Sequence, residues 1–240
     1  MAYTFYNSVL TNVIDETPNV KRFFFSVPEL DKFTFNAGQF VQLDLPIESK
    51  VTTRAYSIAS APSENNSLEL VIVLKEDGLG TPYLFNKLKI GETVKLSQPA
   101  GKFTRQELPD GDLCLICTGT GIAPFRSMVY DIINKNANSY KNINLIFGAR
   151  YIHDLLYRKE FKELQNSMRG FHYIPVLSRE TADKWSGETG YVHSIYKKLY
   201  AEKPNALFYL CGWKVMIMEA RENLLQLGYD KKQIKFELYD

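Results

Sequence analysis

Cysteine is scarce in this chain: three thiols in 240 residues. An odd number argues against a disulfide framework and points to a reducing compartment, the cytoplasm. Long apolar runs are missing too. No stretch approaches the roughly 20 residues that cross a bilayer, and the opening MAYTFYNSVL has no basic segment ahead of an apolar one, so neither membrane insertion nor a leader is expected. No charge sign dominates: 29 basic against 27 acidic residues leave +2, too balanced for a dedicated nucleic-acid binder. Charge runs are short, Lys197-Lys198 and Lys231-Lys232, and read as solvated helix ends or turns. His153, His172 and His193 show no ligand spacing. Cys114 and Cys117, three apart on a strand, point to opposite faces, and no second pair completes a metal site, so no metal is expected. No cysteine-rich iron–sulfur segment is present, which makes any iron–sulfur partner a separate protein. Repeats and low-complexity segments are also absent.

What remains is ordinary globular composition, 45% hydrophobic and 23% charged, in two halves of different grammar. Up to about residue 104 come short strand-like runs (YTFYNSVL, VKRFFFSV, QFVQLDL, TRAYSIAS, LELVIVLK, ETVKLS) between turns such as TPN, NAG and SENN. That spacing predicts a small antiparallel β-barrel. One helix interrupts it, TPYLFNKL, with Thr81 as N-cap and Pro82 at the first helical position. From about residue 112, apolar strands (DLCLIC, INLIFG, YIPVLS, ALFYLC, IKFELY) alternate with helical stretches (PFRSMVYDIINK, DLLYRKEFKELQNSM, VHSIYKKLY, KVMIMEARENLLQL), predicting a five-stranded, mostly parallel sheet of doubly wound type. LPDGD, 108 to 112, reads as the link, giving domains 1–107 and 108–240.

In a parallel sheet the carboxyl ends of the strands share one rim, where open α/β sheets bind ligands. CTGTGIAPF after the first strand, Gly148-Ala149-Arg150 after the second, Ser178-Arg179 after the third and Cys211-Gly212 after the fourth all fall there, with Glu237 and Tyr239 in the fifth. Gly119 and Gly121 let backbone approach a pyrophosphate, the helix opened at Pro124 offers free N–H groups, and Arg150 and Arg179 add cations. A bare glycine turn is weak evidence alone; five segments on one rim suggest a dinucleotide.

The barrel half holds a second anion-type element. In DGLGTPY, Gly78 and Gly80 precede Thr81 and Pro82, and TTRAYSIAS puts Arg54 and Tyr56 on one side of a strand with Ser57 on the other. A flavin would use all of these: Arg54 on its pyrophosphate, Tyr56 against its ring and Ser57 near its reactive nitrogen.

RAYS, GLGT, GTGIAP, VLSRE, YLCG and the ending FELY, in this order, resemble the ferredoxin–NADP reductase family over essentially the whole chain. The resemblance implies an N-terminal FAD-binding β-barrel and a C-terminal α/β Rossmann-like NADP-binding domain. It implies Arg54, Tyr56 and Ser57 at the flavin, Gly80 and Thr81 at the FAD pyrophosphate, and Ile72, Val73 and Lys75 as backbone contacts of the flavin. It puts Thr118, Gly119, Thr120 and Gly121 in the nucleotide loop, Ser178 and Arg179 at the adenosine 2'-phosphate, and Cys211 with Gly212 near the nicotinamide. Plant-type members end in E-x-Y, with the glutamate assisting proton and electron movement and the tyrosine stacking on the flavin; Glu237 and Tyr239 match, and here Asp240 follows. Some bacterial relatives carry an arginine near the position of Tyr191. Here Tyr191 either stacks on adenine or packs, and Lys184 is a substitute cation.

The expected function is transfer of hydride between NADPH and FAD, with Ser57, Cys211 and Glu237 as the catalytic set, and single-electron exchange with a separate ferredoxin or flavodoxin. The alternatives are an NADH-using reductase of an oxygenase system, a flavin reductase, and, from another class, a non-catalytic flavoprotein subunit or a cofactor-free binding module.

Overall fold

The computed structural model describes residues 3–50, 52–135 and 139–239. Two compact units divide the chain, Met1–Arg105 with Ala123–Asn136, and Gln106–Ile122 with Ala137–Asp240.

The first unit contains β1 (Phe5–Thr17), β2 (Val20–Ser26), β3 (Phe40–Asp44), β4 (Thr53–Ser57), β5 (Ser67–Val73), α1 (Gly80–Asn86) and β6 (Thr93–Ser97). The strands pair antiparallel in the order β4-β3-β6-β1-β2-β5, and the two ends of that row meet at an isolated bridge, Ile58 to Leu70, which curls the sheet into a barrel. Alternation in the sequence produces the core: Phe23 and Phe25 of β2, Val41 and Leu43 of β3, Leu68, Leu70 and Ile72 of β5, and Val94 and Leu96 of β6 are all buried in one cluster. Each such side chain contributes roughly 1.5–3 kcal/mol by leaving water. All six runs expected as strands form strands here. The expected N-cap does not form. Leu79 occupies that position, while the Thr81 hydroxyl accepts from the Lys75 amide at 2.9 Å and donates to the Lys75 carbonyl at 3.1 Å. The loop between β5 and α1 outcompetes the helix for that hydroxyl.

The second unit contains β7 (Asp112–Thr118), β8 (Ile143–Ala149), α3 (Arg158–Ser167), β9 (Phe171–Leu177), β10 (Glu188–Thr189), α4 (Val192–Leu199), β11 (Ala206–Trp213), α5 (Lys214–Gln226) and β12 (Ile234–Tyr239); α2 (Ala123–Asn134) falls between β7 and β8 in the chain but belongs to the first unit. All pairings are parallel, in the order β10-β9-β8-β7-β11-β12, so chain direction across the sheet reverses at β7 and creates a switch point. The sixth strand departs from the expected five. β10 is two polar residues long and pairs only with Val176 and Leu177, so it has no apolar run to betray it. The third helix also starts later than its periodicity suggests. Asp154 closes a tight turn by accepting from the Tyr151 amide, and Tyr157 takes a left-handed φ of 52°, so helical geometry begins only at Arg158.

Phe25 is fully buried between β1 and β5 partners. Phe25→Ala is expected to lower the unfolding free energy by about 3–5 kcal/mol in urea titration. A change within the roughly 0.5 kcal/mol typical of surface substitutions would exclude it from the core.

Candidate functional site

In the first unit, pairing with β3 sets Arg54 opposite Leu43, Tyr56 opposite Val41 and Ser57 opposite Phe40. Arg54 and Tyr56 therefore share the face of two core residues at the edge of the row, and Tyr56 packs partly into the core cluster. Burial pushes the Tyr56 phenol up to about 12, against the lowering pull of the Arg54 cation, so the ring stays neutral at any physiological pH. Arg54 donates from Nη1 to the Thr53 carbonyl at 2.9 Å, and its stem crosses the start of α1: a Cβ on Gly80 would lie 3.1 Å from Arg54 Cγ and 3.2 Å from Leu45 Cδ1. Gly80 is thus the residue that lets the guanidinium reach α1. Ser57 is 5% exposed. Ile72 is buried and Val73 exposed on β5, whose outer edge, beyond the bridge at Leu70, carries no strand among the described residues. Lys75 is exposed and tied to Thr81 as described.

In the second unit, strand register places the expected rim residues side by side. Thr118 pairs with Gly148, Ala149 with Leu177, and Cys211 with both Cys117 and Glu237. The glycine loop and the end of β11 touch backbone to backbone. A Cβ on Gly121 would fall 2.5 Å from the Cys211 carbonyl oxygen, and one on Gly212, whose φ is 127°, would fall 2.5 Å from Thr118 Oγ1. The Trp213 amide donates to that same Thr118 oxygen at 3.3 Å. Gly121 and Gly212 are required by this internal contact, whereas Gly119, at φ 55° with nothing near its missing Cβ, leaves its backbone open to a ligand. Thr120, beside it, is half-buried.

Arg150 and Arg179 stand on adjacent segments joined by main chain. The Ser178 amide donates to the Ala149 carbonyl at 3.0 Å and the Arg179 amide to the Arg150 carbonyl at 2.9 Å, while the Ser178 hydroxyl also donates to Ala149 O at 3.3 Å. Both arginines are exposed, Arg150 with Nε 3.2 Å from Asp154 Oδ2. Glu180 ties the two segments together by accepting from the Ile152 amide at 2.9 Å, and this bond holds its carboxyl below the usual range. Tyr191 is 74% exposed, so it does not pack; Lys184 is exposed as well.

Cys211 is fully buried, and burial, helped by the Glu237 carboxylate, holds its thiol well above the ordinary range against the lowering effect of the Tyr239 hydroxyl. Cys211, Glu237 and Tyr239 therefore come together in the second unit; Ser57 lies in the first, and Asp240 lies outside the described residues. The first turn of α2, just after the glycine loop, carries one further arginine, to which the sequence pattern assigns no role. Arg126 Nη1 donates to the Ala59 carbonyl at 2.9 Å and to Glu69 at 3.1 Å, and Glu69 also binds Arg22. A lone carboxylate inside the apolar run LELVIV was the available signal. No group of three His, Cys, Asp or Glu is placed to hold a metal, and no helix is long and apolar enough to cross a membrane, among the described residues.

All three cysteines are free and buried, and burial raises each thiol. A disulfide reagent at pH 8 is expected to titrate none in the native protein and all three in denaturant, since the thiolate is the nucleophile. Their folded pKa values lie above the unfolded value of about 8.5, so the unfolded state loses protons first and stability falls as pH rises past that value. Rapid native labelling would contradict this burial.

Residues 7–104 match the oxidoreductase FAD-binding domain and residues 115–222 the oxidoreductase NAD-binding domain. Ferredoxin–NADP reductase B of Sorangium cellulosum is 34% identical over 231 residues, 93% of this chain and 93% of that protein. The reductase component DmpP of phenol 2-monooxygenase from Pseudomonas sp. (strain CF600) is 34% identical over 238 residues; these make up 98% of this chain and 65% of that component. A ferredoxin NADP+ reductase from Neisseria gonorrhoeae, solved with FAD and NADP bound, superimposes with a TM-score of 0.83 at 29% identity and 98% coverage of each chain. Barrel, parallel sheet and matched length agree, and the chain belongs to the ferredoxin–NADP reductase family.

Proposed function

We propose that this FAD-dependent oxidoreductase uses NADPH and exchanges single electrons with a separate ferredoxin or flavodoxin in the cytoplasm, with residues 1–107 binding FAD and 108–240 binding the nicotinamide nucleotide. When bound, FAD supplies the redox chemistry, taking two electrons from NADPH and passing them on singly. The residues of β4 and α1 suit it: Arg54 for the pyrophosphate, with Gly80 and Thr81 beside it, a neutral Tyr56 to lie against the ring, and Ser57 to donate near it. Backbone of Ile72 and Val73 at the end of β5 supplies further polar contacts, and the Lys75 amide, which donates to Thr81, orients that hydroxyl beside them. In the second unit Thr118, Gly119, Thr120 and Gly121 form the loop for the nucleotide's pyrophosphate, Cys211 and Gly212 border the nicotinamide, Glu237 holds or moves a proton, and Tyr239 covers the ring site.

The observation that carries the choice of NADPH is the main-chain pairing of Arg150 with Arg179 beside Ser178, which sets two cations and a hydroxyl together at one end of the rim. A 2'-phosphate needs such a set; a ribose hydroxyl does not. For the second reading, an NADH-using reductase of an oxygenase system, the likeness to the phenol 2-monooxygenase reductase component supports the oxygenase partner. Parallel turnover with NADPH and NADH against ferredoxin, flavodoxin and free flavin decides between these.

Arg179→Ala is expected to lower kcat/KM for NADPH by roughly ten- to a hundredfold and to leave NADH nearly unchanged. Equal losses with both would make Arg179 structural, and a wild-type preference for NADH would overturn the assignment.

Ser57→Ala is expected to keep FAD bound while slowing its reduction by NADPH at least about tenfold in stopped flow. A wild-type reduction rate would remove Ser57 from the catalytic set.

A further inference from the structure

Ser57 is the last residue of β4, and its pairing with β3 ends there: Phe40 opposes Ser57, and the Ile58 amide donates to Gln39 O at 3.0 Å. The chain then crosses to β5. Among the described residues one bridge, Ile58 to Leu70, joins this segment to β5, with the Ala59 amide donating to Glu69 O at 2.8 Å and the Glu69 amide to Ser60 Oγ at 3.0 Å. A seam one bridge long lacks the repeated ladder that normally fixes a strand end. An ionic cluster lies on it. Arg22 grips Glu69 with Nε at 2.6 Å and Nη2 at 3.2 Å, its Nη1 lies 3.6 Å from Glu16, and Arg126 Nη1 is shared between Glu69 Oε2 at 3.1 Å and the Ala59 carbonyl at 2.9 Å. Glu69 is 4% exposed.

Burying such a cluster costs desolvation that apolar side chains of the same volume avoid, so net stability is a poor reason for its presence. Its geometry offers a better one. Arg126 holds the Ala59 carbonyl, two residues beyond Ser57, while the Glu69 main chain accepts from the Ala59 amide and donates to the Ser60 hydroxyl oxygen, so the turn leaving Ser57 is clamped from both sides.

We infer that Arg126, acting through the Glu69 clamp, is a positioning residue for the Ser57 hydroxyl. The inference rests on the reading that Ser57 serves the flavin. A displaced turn moves the hydroxyl without removing it, so the loss falls on the reduction step and not on NADPH binding.

The test compares Arg126→Met, Ser57→Ala and the double variant as full-length holoproteins. Arg126→Met is expected to slow flavin reduction by NADPH about tenfold with KM unchanged, and to add nothing further in the Ser57→Ala background, because the two act as one unit. Arg126→Lys is expected to restore part of the rate. In the FAD-free protein, Arg126→Met is expected to speed hydrogen exchange of the Ala59 amide at least about tenfold while the amide of buried Phe25 in β2 keeps its protection. Should Arg126→Met fail to fold, the all-apolar triple variant R22M/E69L/R126M removes every charge of the triad at once and is expected to fold with the same kinetic and exchange defects. Equal slowing with and without Ser57, or unchanged Ala59 exchange, overturns the inference. A slow Ser57→Ala beside a wild-type-like Arg126→Met defeats the inference alone, whereas a wild-type-like Ser57→Ala defeats the Ser57 reading first.

Discussion

A carboxylate inside an apolar strand sets conditions that the first unit must meet. Glu69 is the one charge in LELVIV, and a buried, unpaired carboxylate would cost several kcal/mol. β2 supplies one cation by register, since Phe24 opposes Glu69 and Arg22 lies two residues on along the same face. The other comes from Arg126, so α2 must lie where its first turn meets the seam between β4 and β5. A second buried carboxylate on the same helix works in the opposite sense: Asp131 binds Lys135 at 2.8 Å and lies 3.7 Å from Arg105. Charge pairing at both ends explains why a helix encoded between two strands of the parallel sheet is compact with the barrel.

In the second unit the governing constraint is close backbone approach. β7 and β11 are neighbours at the switch point, and beyond their last pair the chain must turn away from each without side chains colliding. Gly121 and Gly212 make that possible by leaving room for the Cys211 and Thr118 backbones. The left-handed φ of Gly119 then turns the loop outward. Gly119 therefore faces open space while Gly121 faces the protein, although the motif presents the two as equivalent.

How much was legible follows from the range of the interactions involved. Strand runs such as VKRFFFSV and the parallel strands after residue 112 declare themselves because one face, or both, must be apolar, a local property of the sequence. The rim residues were legible because parallel topology forces all strand ends to one side. Thr81 does not cap because its hydroxyl is taken by the Lys75 main chain, in a loop whose fold-back no capping pattern encodes, and the late start of α3 depends on a left-handed Tyr157 that no periodicity encodes. β10 was invisible because two polar residues need only main-chain pairing. Arg126 follows the glycine-loop motif directly, yet its partner Glu69 lies 57 residues earlier, a distance at which neither periodicity nor capping carries information.

The two kinds of work asked of the proposed site fall to chemically different groups. Arg54, Arg150 and Arg179 are permanent cations assigned to phosphates. Three of the groups assigned to the rings are kept neutral, Tyr56 by burial that raises it to about 12, Cys211 by burial that raises its thiol well above the ordinary range, and Ser57 by its chemistry, while Glu237, only half-buried, is the carboxyl among them. Burial suits the second set because a ring held against a neutral surface keeps its own redox properties, and a buried charge there would shift them through a low local dielectric. Exposure suits Arg150 and Arg179, which can release water one ligand at a time. Substitution at the exposed cations can therefore alter nucleotide preference while leaving the ring surface intact, and the buried clamp, in which Glu69 and Glu16 together balance Arg22 and Arg126, can hold that surface without adding net charge to it.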